Sequence, residues 1–126
     1  MTSTWNRIVV KVGTSLLTTP EGDFSSVCIA GIVKELCNLR LSGKEIILVT
    51  SGAIGAGMCR LGLKYRPSTI PLKQASAAVG QSYLMNTYED LFGEHQQTIA
   101  QILLTHQELA NRKSYLNAYH TLLTLL

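Results

Sequence analysis

A chain of 126 residues with 46% hydrophobic and 15% charged side chains has the balance of a folded globular protein and excludes a disordered one. Its net charge of +3 is spread over scattered basic residues (Lys34, Arg40, Lys44, Arg60, Lys64, Arg66, Lys73), without the dense patch that a nucleic-acid partner favours. No apolar run approaches the roughly 18 residues of a membrane span, and the polar start at Met1 to Asn6 lacks a signal-peptide profile, so a cytoplasmic protein is expected.

Residues 7–12 (RIVVKV) are β-branched and stop at Gly13, which predicts a strand. Thr18, Thr19, Pro20 and Gly22 break the chain. Ser25 or Ser26 then caps a helix in which Ile29, Ile32, Val33, Leu36 and Leu39 recur at helical spacing until Gly43. Residues 46–50 are continuously apolar, as in a parallel strand covered on both faces. After Ser51 and Gly52, residues 53–61 predict a helix weakened by its glycines. A proline-marked loop at 64–71 leads to a long helix over 72–92, with Leu84, Tyr88 and Leu91 on one stripe. Residues 99–104 predict a third strand and residues 114–126 a last helix.

This alternation predicts an α/β fold, a three-layer sandwich with a mainly parallel sheet flanked by helices and joined by right-handed crossovers. There is no internal repeat and no linker that divides it. The segment 121–126 (TLLTLL) is an apolar helix with neither cap nor polar tail, and such a face has to be buried against something. The expectation is a chain cut from a larger domain whose remainder completes the sheet. The alternative is a helix that packs on the sheet within this domain.

Two loops carry the chemistry. Lys11, Gly13, Thr14 and Ser15 stand at the carboxyl end of the first strand; Ser51, Gly52 and Ala53 stand at that of the second. In an open parallel sheet both loops leave the same edge, where ligands bind. Glycine allows a ligand close to the backbone, amides at a helix start favour an anion, the serines add hydroxyls, and Lys11 adds a positive charge.

Other signatures are missing. There is no G-x-x-x-x-G-K-[ST] phosphate loop. Gly52, Gly55 and Gly57 form G-x-x-G-x-G, which is not the dinucleotide fingerprint. Ser51 lies outside any G-x-S-x-G elbow. His95, His106 and His120 show no metal-ligand pattern. Cys28, Cys37 and Cys59 are odd in number and lack Cys-x-x-Cys spacing, so neither a disulfide framework nor a zinc site is expected. Cys28 and Cys37 read as small core residues.

The runs VVKVGTSLLT (9–18), VTSGAIGAG (49–57), KQASAAVGQS (73–82), QILLT (101–105) and NRKSYLNA (111–118) resemble, in this order, the glutamate 5-kinases of the amino acid kinase family. Aspartokinases, acetylglutamate kinases and UMP kinases share a lysine–glycine opening, but the VTSGA run is similar to glutamate 5-kinases. The resemblance covers essentially the whole chain. It implies that Lys11 contacts ATP phosphates as a catalytic residue, that Gly13, Thr14 and Ser15 line the phosphate path, and that Ser51, Gly52 and Ala53 hold L-glutamate. It further implies Mg2+, a product γ-glutamyl phosphate on the way to proline, feedback by proline, and a homo-oligomer. Residues 1–126 would then be the glutamate-binding, amino-terminal part of a kinase domain. The Asn/Asp-rich segment, second lysine and adenine-binding half that the family carries are not in this sequence. A related kinase of another acidic substrate (N-acetylglutamate, aspartate) and a non-catalytic fragment that self-associates through residues 122–126 stay open.

Overall fold

The computed structural model describes residues 5–126. Strand β1 (Arg7–Val12) leads through a short 3-10 turn (Thr14–Leu16) to helix α1 (Ser26–Leu41), strand β2 (Glu45–Thr50), helix α2 (Ala53–Leu61), helix α3 (Ile70–Glu94) and two final helices, α4 (His106–Ala110) and α5 (Arg112–Leu125). Ser25 caps α1 by accepting from the Cys28 amide, the role that a serine before an apolar helix is suited to.

The two strands pair in parallel, with Arg7 opposite Glu45 and Val12 opposite Thr50. Side chains of a strand alternate between faces. Val10, Val12 and Leu48 therefore turn inward onto the core, while Val9, Lys11 and Val49 are exposed on the other face. On that open face Arg7 bridges Glu45 at 2.7 Å, an exposed pair of the kind that contributes little.

The core joins Val12 and Leu17 from the β1 side to Ile29, Val33 and Cys37 of α1, Ala56 of α2, and Leu84 and Tyr88 of α3. Full burial of a side chain the size of Leu84 or Ile29 stabilises by about 1.5–3 kcal/mol each. Burial also pushes the Cys37 thiol above its ordinary pKa. Cys28 is only half-buried.

Helices α2 and α3 cross with their backbones in contact. A Cβ on Gly57 would stand 1.7 Å from the Ser76 carbonyl oxygen, and one on Gly80 would stand 1.7 Å from the Ala53 carbonyl oxygen. The glycines that lower the helix propensity of α2 are thus required for this approach. The propensity cost of about 1 kcal/mol per glycine is offset by the packing it permits.

The α/β order and the parallel pair agree with the sequence reading, but residues 99–104 do not form a strand. The described sheet has two strands, β1 and β2, and residues 97–105 are neither helix nor strand. A strand exists only where a neighbour supplies ladder hydrogen bonds, and none reaches this segment among the described residues. Ile99 still packs against the core, while Leu103 is 70% exposed. The last helical stretch also differs: Asn111 separates α4 from α5 and caps α5 through the Ser114 amide at 3.1 Å. Neither of these helices buries a residue.

Candidate functional site

The pairing of Val12 with Thr50 brings both strand ends to one edge. The Ser51 amide donates to the Val12 carbonyl at 3.1 Å, and the Ser51 hydroxyl donates to the same oxygen at 3.2 Å. Thr14 Oγ1 and Ser51 Oγ are 3.3 Å apart; with the Ser51 proton on the Val12 carbonyl, the Thr14 hydroxyl is the donor of this hydrogen bond. The first loop and the second are therefore stitched together directly, side chain to side chain.

The second loop is shaped by Gly52. Its φ of +107° belongs to the left-handed region that glycine tolerates, and a Cβ there would stand 2.8 Å from Leu17 Cδ1. This turn aims the start of α2 at the cleft. No side chain caps that helix, so its first amides keep free donors, and the helix dipole adds a partial positive charge. Gly13 differs: its φ is −81° and nothing lies within 4 Å of where a Cβ would stand. Neither backbone conformation nor internal packing requires glycine at that position.

A cleft of about 550 Å³ opens over this edge, lined by Thr14, Thr18, Ser51, Gly52, Ala53, Arg66 and Gln81 among others. Behind it, Thr50 Oγ1 and the Tyr88 hydroxyl hydrogen-bond at 2.8 Å, tying the end of β2 to α3. Burial raises the Tyr88 pKa, and the bond to Thr50 opposes the shift. The tyrosine is thus a neutral clamp and not a titrating group near pH 7.

Of the residues expected to form the site, Thr14, Ser51, Gly52 and Ala53 meet in this cleft. Lys11, Gly13 and Ser15 are not among its lining residues: Lys11 is on the open sheet face in register with Val49, and Ser15 is exposed in the 3-10 turn. Sequence reasoning missed Thr18, Arg66 and Gln81. Arg66 had one local signal, the following Pro67, which biases it to an extended conformation and which is itself buried. Gln81 lay within the run KQASAAVGQS, but nothing in helical spacing alone aims it at the cleft.

Chemically, the cleft offers amides, hydroxyls, a carboxamide and one guanidinium, and no carboxylate of the described residues lines it. That donor set suits an anion with several oxygens. Among the described residues no group of three or more His, Cys, Asp or Glu could hold a metal ion. A phosphate-bound cation would find hydroxyl donors here and no carboxylate cage. No helix among them is long and apolar enough to cross a membrane.

A parallel α/β pair whose two strand ends feed amide- and hydroxyl-bearing loops into one cleft is the architecture of a site for a small anionic molecule. The model of the amino acid kinase family matches residues 6–126, and the chain belongs to that family. It is 51% identical over 120 residues to the glutamate 5-kinase of Moorella thermoacetica, across 95% of this chain and 32% of that protein. It is 50% identical over 121 residues to the glutamate 5-kinase of Clostridium acetobutylicum, across 96% of this chain and 45% of that protein. To the glutamate 5-kinase of Nostoc punctiforme it is 54% identical over 120 residues, across 94% of this chain and 33% of that protein. The chain thus spans between 32% and 45% of the length of these relatives.

Proposed function

We propose that this chain is the glutamate-binding part of an enzyme that phosphorylates the γ-carboxylate of L-glutamate with ATP, giving γ-glutamyl phosphate for proline synthesis in the cytoplasm. The observation that carries the reading is the contact of Thr14 with Ser51 at 3.3 Å, which joins the two loops at the mouth of one cleft. The identity with proteins named glutamate 5-kinase, near one residue in two, supports the choice of substrate. The adenine-binding half of the enzyme is proposed to lie outside residues 1–126. Proline feedback and a homo-oligomeric state are proposed on the same kinship.

The nucleophile in this reaction needs no general base. A glutamate side chain has an ordinary pKa of about 4.3 and is ionised at neutral pH. The barrier is the approach of a carboxylate to a polyanion, so the protein's task is positioning and charge neutralisation. Gly52 and Ala53 amides, with the Ser51 hydroxyl, are proposed to hold glutamate. Gly13, Thr14 and Ser15 are proposed to line the phosphate path, and the open space over Gly13 leaves its backbone accessible to a phosphate. Lys11 ends the exposed row of β1 two residues before Gly13, and its charge is proposed to neutralise the transferring phosphoryl group. When bound, Mg2+ supplies further neutralisation on the phosphate oxygens.

The test is to express the complete open reading frame that contains this sequence and assay ATP-dependent acyl phosphate formation, trapped with hydroxylamine. L-Glutamate is expected to be preferred over N-acetylglutamate and aspartate. Lys11→Ala is expected to lower kcat by roughly 10²–10³, the loss typical of one preorganised donor. Ser51→Ala is expected to act mainly on the KM for glutamate. A preference for another acceptor points to a related acidic-substrate kinase, and a Lys11→Ala enzyme at full rate removes that lysine from the mechanism.

A further inference from the structure

Among the described residues that line the cleft, Arg66 has the only charged side chain. It lies between α2 and α3, immediately before the buried Pro67. It is exposed, and no hydrogen bond, ion pair or ring contact joins it to any described residue. Its neighbour on α2 shows the contrast: Arg60 rests over the Tyr83 ring at 4.5 Å. Arg60 thus has a structural role as a packed cation. Arg66 has no such contact, and yet it lines the same cleft as the start of α2.

We propose that Arg66 determines substrate specificity by binding the carboxylate of the amino acid that is not phosphorylated, its α-carboxylate. This rests on the glutamate-kinase reading above. A substrate with two carboxylates has to be bound in one direction only. The attacking carboxylate must keep an oxygen lone pair free and approach the phosphate loop, where Thr14 meets Ser51. A guanidinium fork pairs with both oxygens of a carboxylate at once, which withdraws charge from them and blunts the nucleophile. The fork therefore suits the carboxylate that does not react. The amides and hydroxyl of Ser51, Gly52 and Ala53 leave an oxygen free and suit the one that does.

The experiment compares the protein expressed from its complete open reading frame with Arg66→Gln and Arg66→Lys, using two acceptors. One is L-glutamate. The other is its α-carboxamide, isoglutamine, which keeps the γ-carboxylate and lacks the α one. The unaltered enzyme is expected to prefer glutamate. Arg66→Gln is expected to raise the KM for glutamate about 10- to 100-fold, the range for loss of a charge-assisted hydrogen-bonded pair, with the change falling in KM more than in kcat. The KM for isoglutamine is expected to stay nearly constant, so the preference collapses towards unity. Arg66→Lys keeps the charge without the fork and is expected to recover part of the preference. A purely structural role would shift both acceptors alike and leave their ratio unchanged in both variants, and that result overturns the proposal. If the unaltered enzyme phosphorylates no glutamate, the substrate reading itself fails and this inference fails with it. If it does and the ratio ignores Arg66, only the assignment of Arg66 falls.

Discussion

Helices α2 and α3 meet backbone to backbone, whereas α4 and α5 follow one another without burying a single residue. Both pairs are helical, and α5 is rich in apolar side chains. What separates them is what they face. Ala56, Leu84 and Tyr88 of the first pair are at most 2% exposed, while Tyr115, Tyr119 and Leu125 of α5 are between 45% and 55% exposed. Helix α5 is held by local devices: the Asn111 cap and the stack of Tyr115 on Tyr119 at 6.3 Å. Local devices alone leave a helix of this length marginal in water. Local sequence thus directs helix formation, while burial supplies helix stability.

The largest expected effect is at the crossing. Gly80→Ala places a methyl group against the Ala53 carbonyl, where the overlap is with backbone and no flexible side chain can yield. Helix α2 must then move, at an expected cost of about 3 kcal/mol, the upper range for overpacking a core. Urea unfolding measures it. Ala53 is the first residue of α2, next to Ser51 and Gly52, so the displaced crossing is also expected to weaken the proposed glutamate binding. A variant as stable as the parent would mean that the two backbones do not touch in solution.

A smaller effect sharpens the comparison with one substitution made in both regions. Leu84→Ala removes a side chain that is 1% exposed and is expected to destabilise by about 2–5 kcal/mol. Leu123→Ala removes the same atoms from α5, where Leu123 is 37% exposed, and is expected to stay within about 0.5 kcal/mol. Amide hydrogen exchange gives an independent view, with α5 exchanging faster than α3. Equal costs at the two positions would show that α5 has a packing partner in solution.

How much of this was legible in the sequence depends on the range of the forces involved. Strand β1 was read to its last residue because its β-branched run and Gly13 are local. The exposed face that Lys11 occupies was not read from the sequence, although it agrees with the inward turn of Val10 and Val12 and a period of two. A serine cap at Ser25 or Ser26 was legible for the same local reason, and the structure places it at Ser25. The strand expected at 99–104 failed because pairing is not a property of the segment itself. Its composition is apolar enough, but Ile99 meets the core without a ladder. The meeting of the two loops was legible from topology, since parallel strands send their ends to one edge. The membership of Arg66 and Gln81 in the cleft was not, because it depends on where α3 returns after the proline loop. The tight crossing at Gly57 and Gly80 was hidden behind an opposite local signal, their poor helix propensity.

The smallest effect concerns how α4 is held. The Thr105 amide donates to Glu108 Oε2 at 2.6 Å, and the Thr105 hydroxyl donates to the same oxygen, the reach-back half of a capping box. These donors favour the carboxylate and hold the Glu108 pKa below the ordinary glutamate value. A depressed pKa means that the native state prefers the ionised form, so the contribution is present in full above the ordinary glutamate pKa and is lost as the pH falls through the lower, native pKa. Protonation removes an acceptor from the helix start and with it a favourable negative charge near the dipole. Following the Thr105 amide signal by NMR from pH 7 downward is expected to show a midpoint below the ordinary glutamate value. Glu108→Gln is expected to flatten that titration while keeping a neutral acceptor for the amide. A midpoint at the ordinary value would instead mean that Glu108 is free in solution, and α4 would then lose one of the local contacts that set it apart from the tightly packed pair.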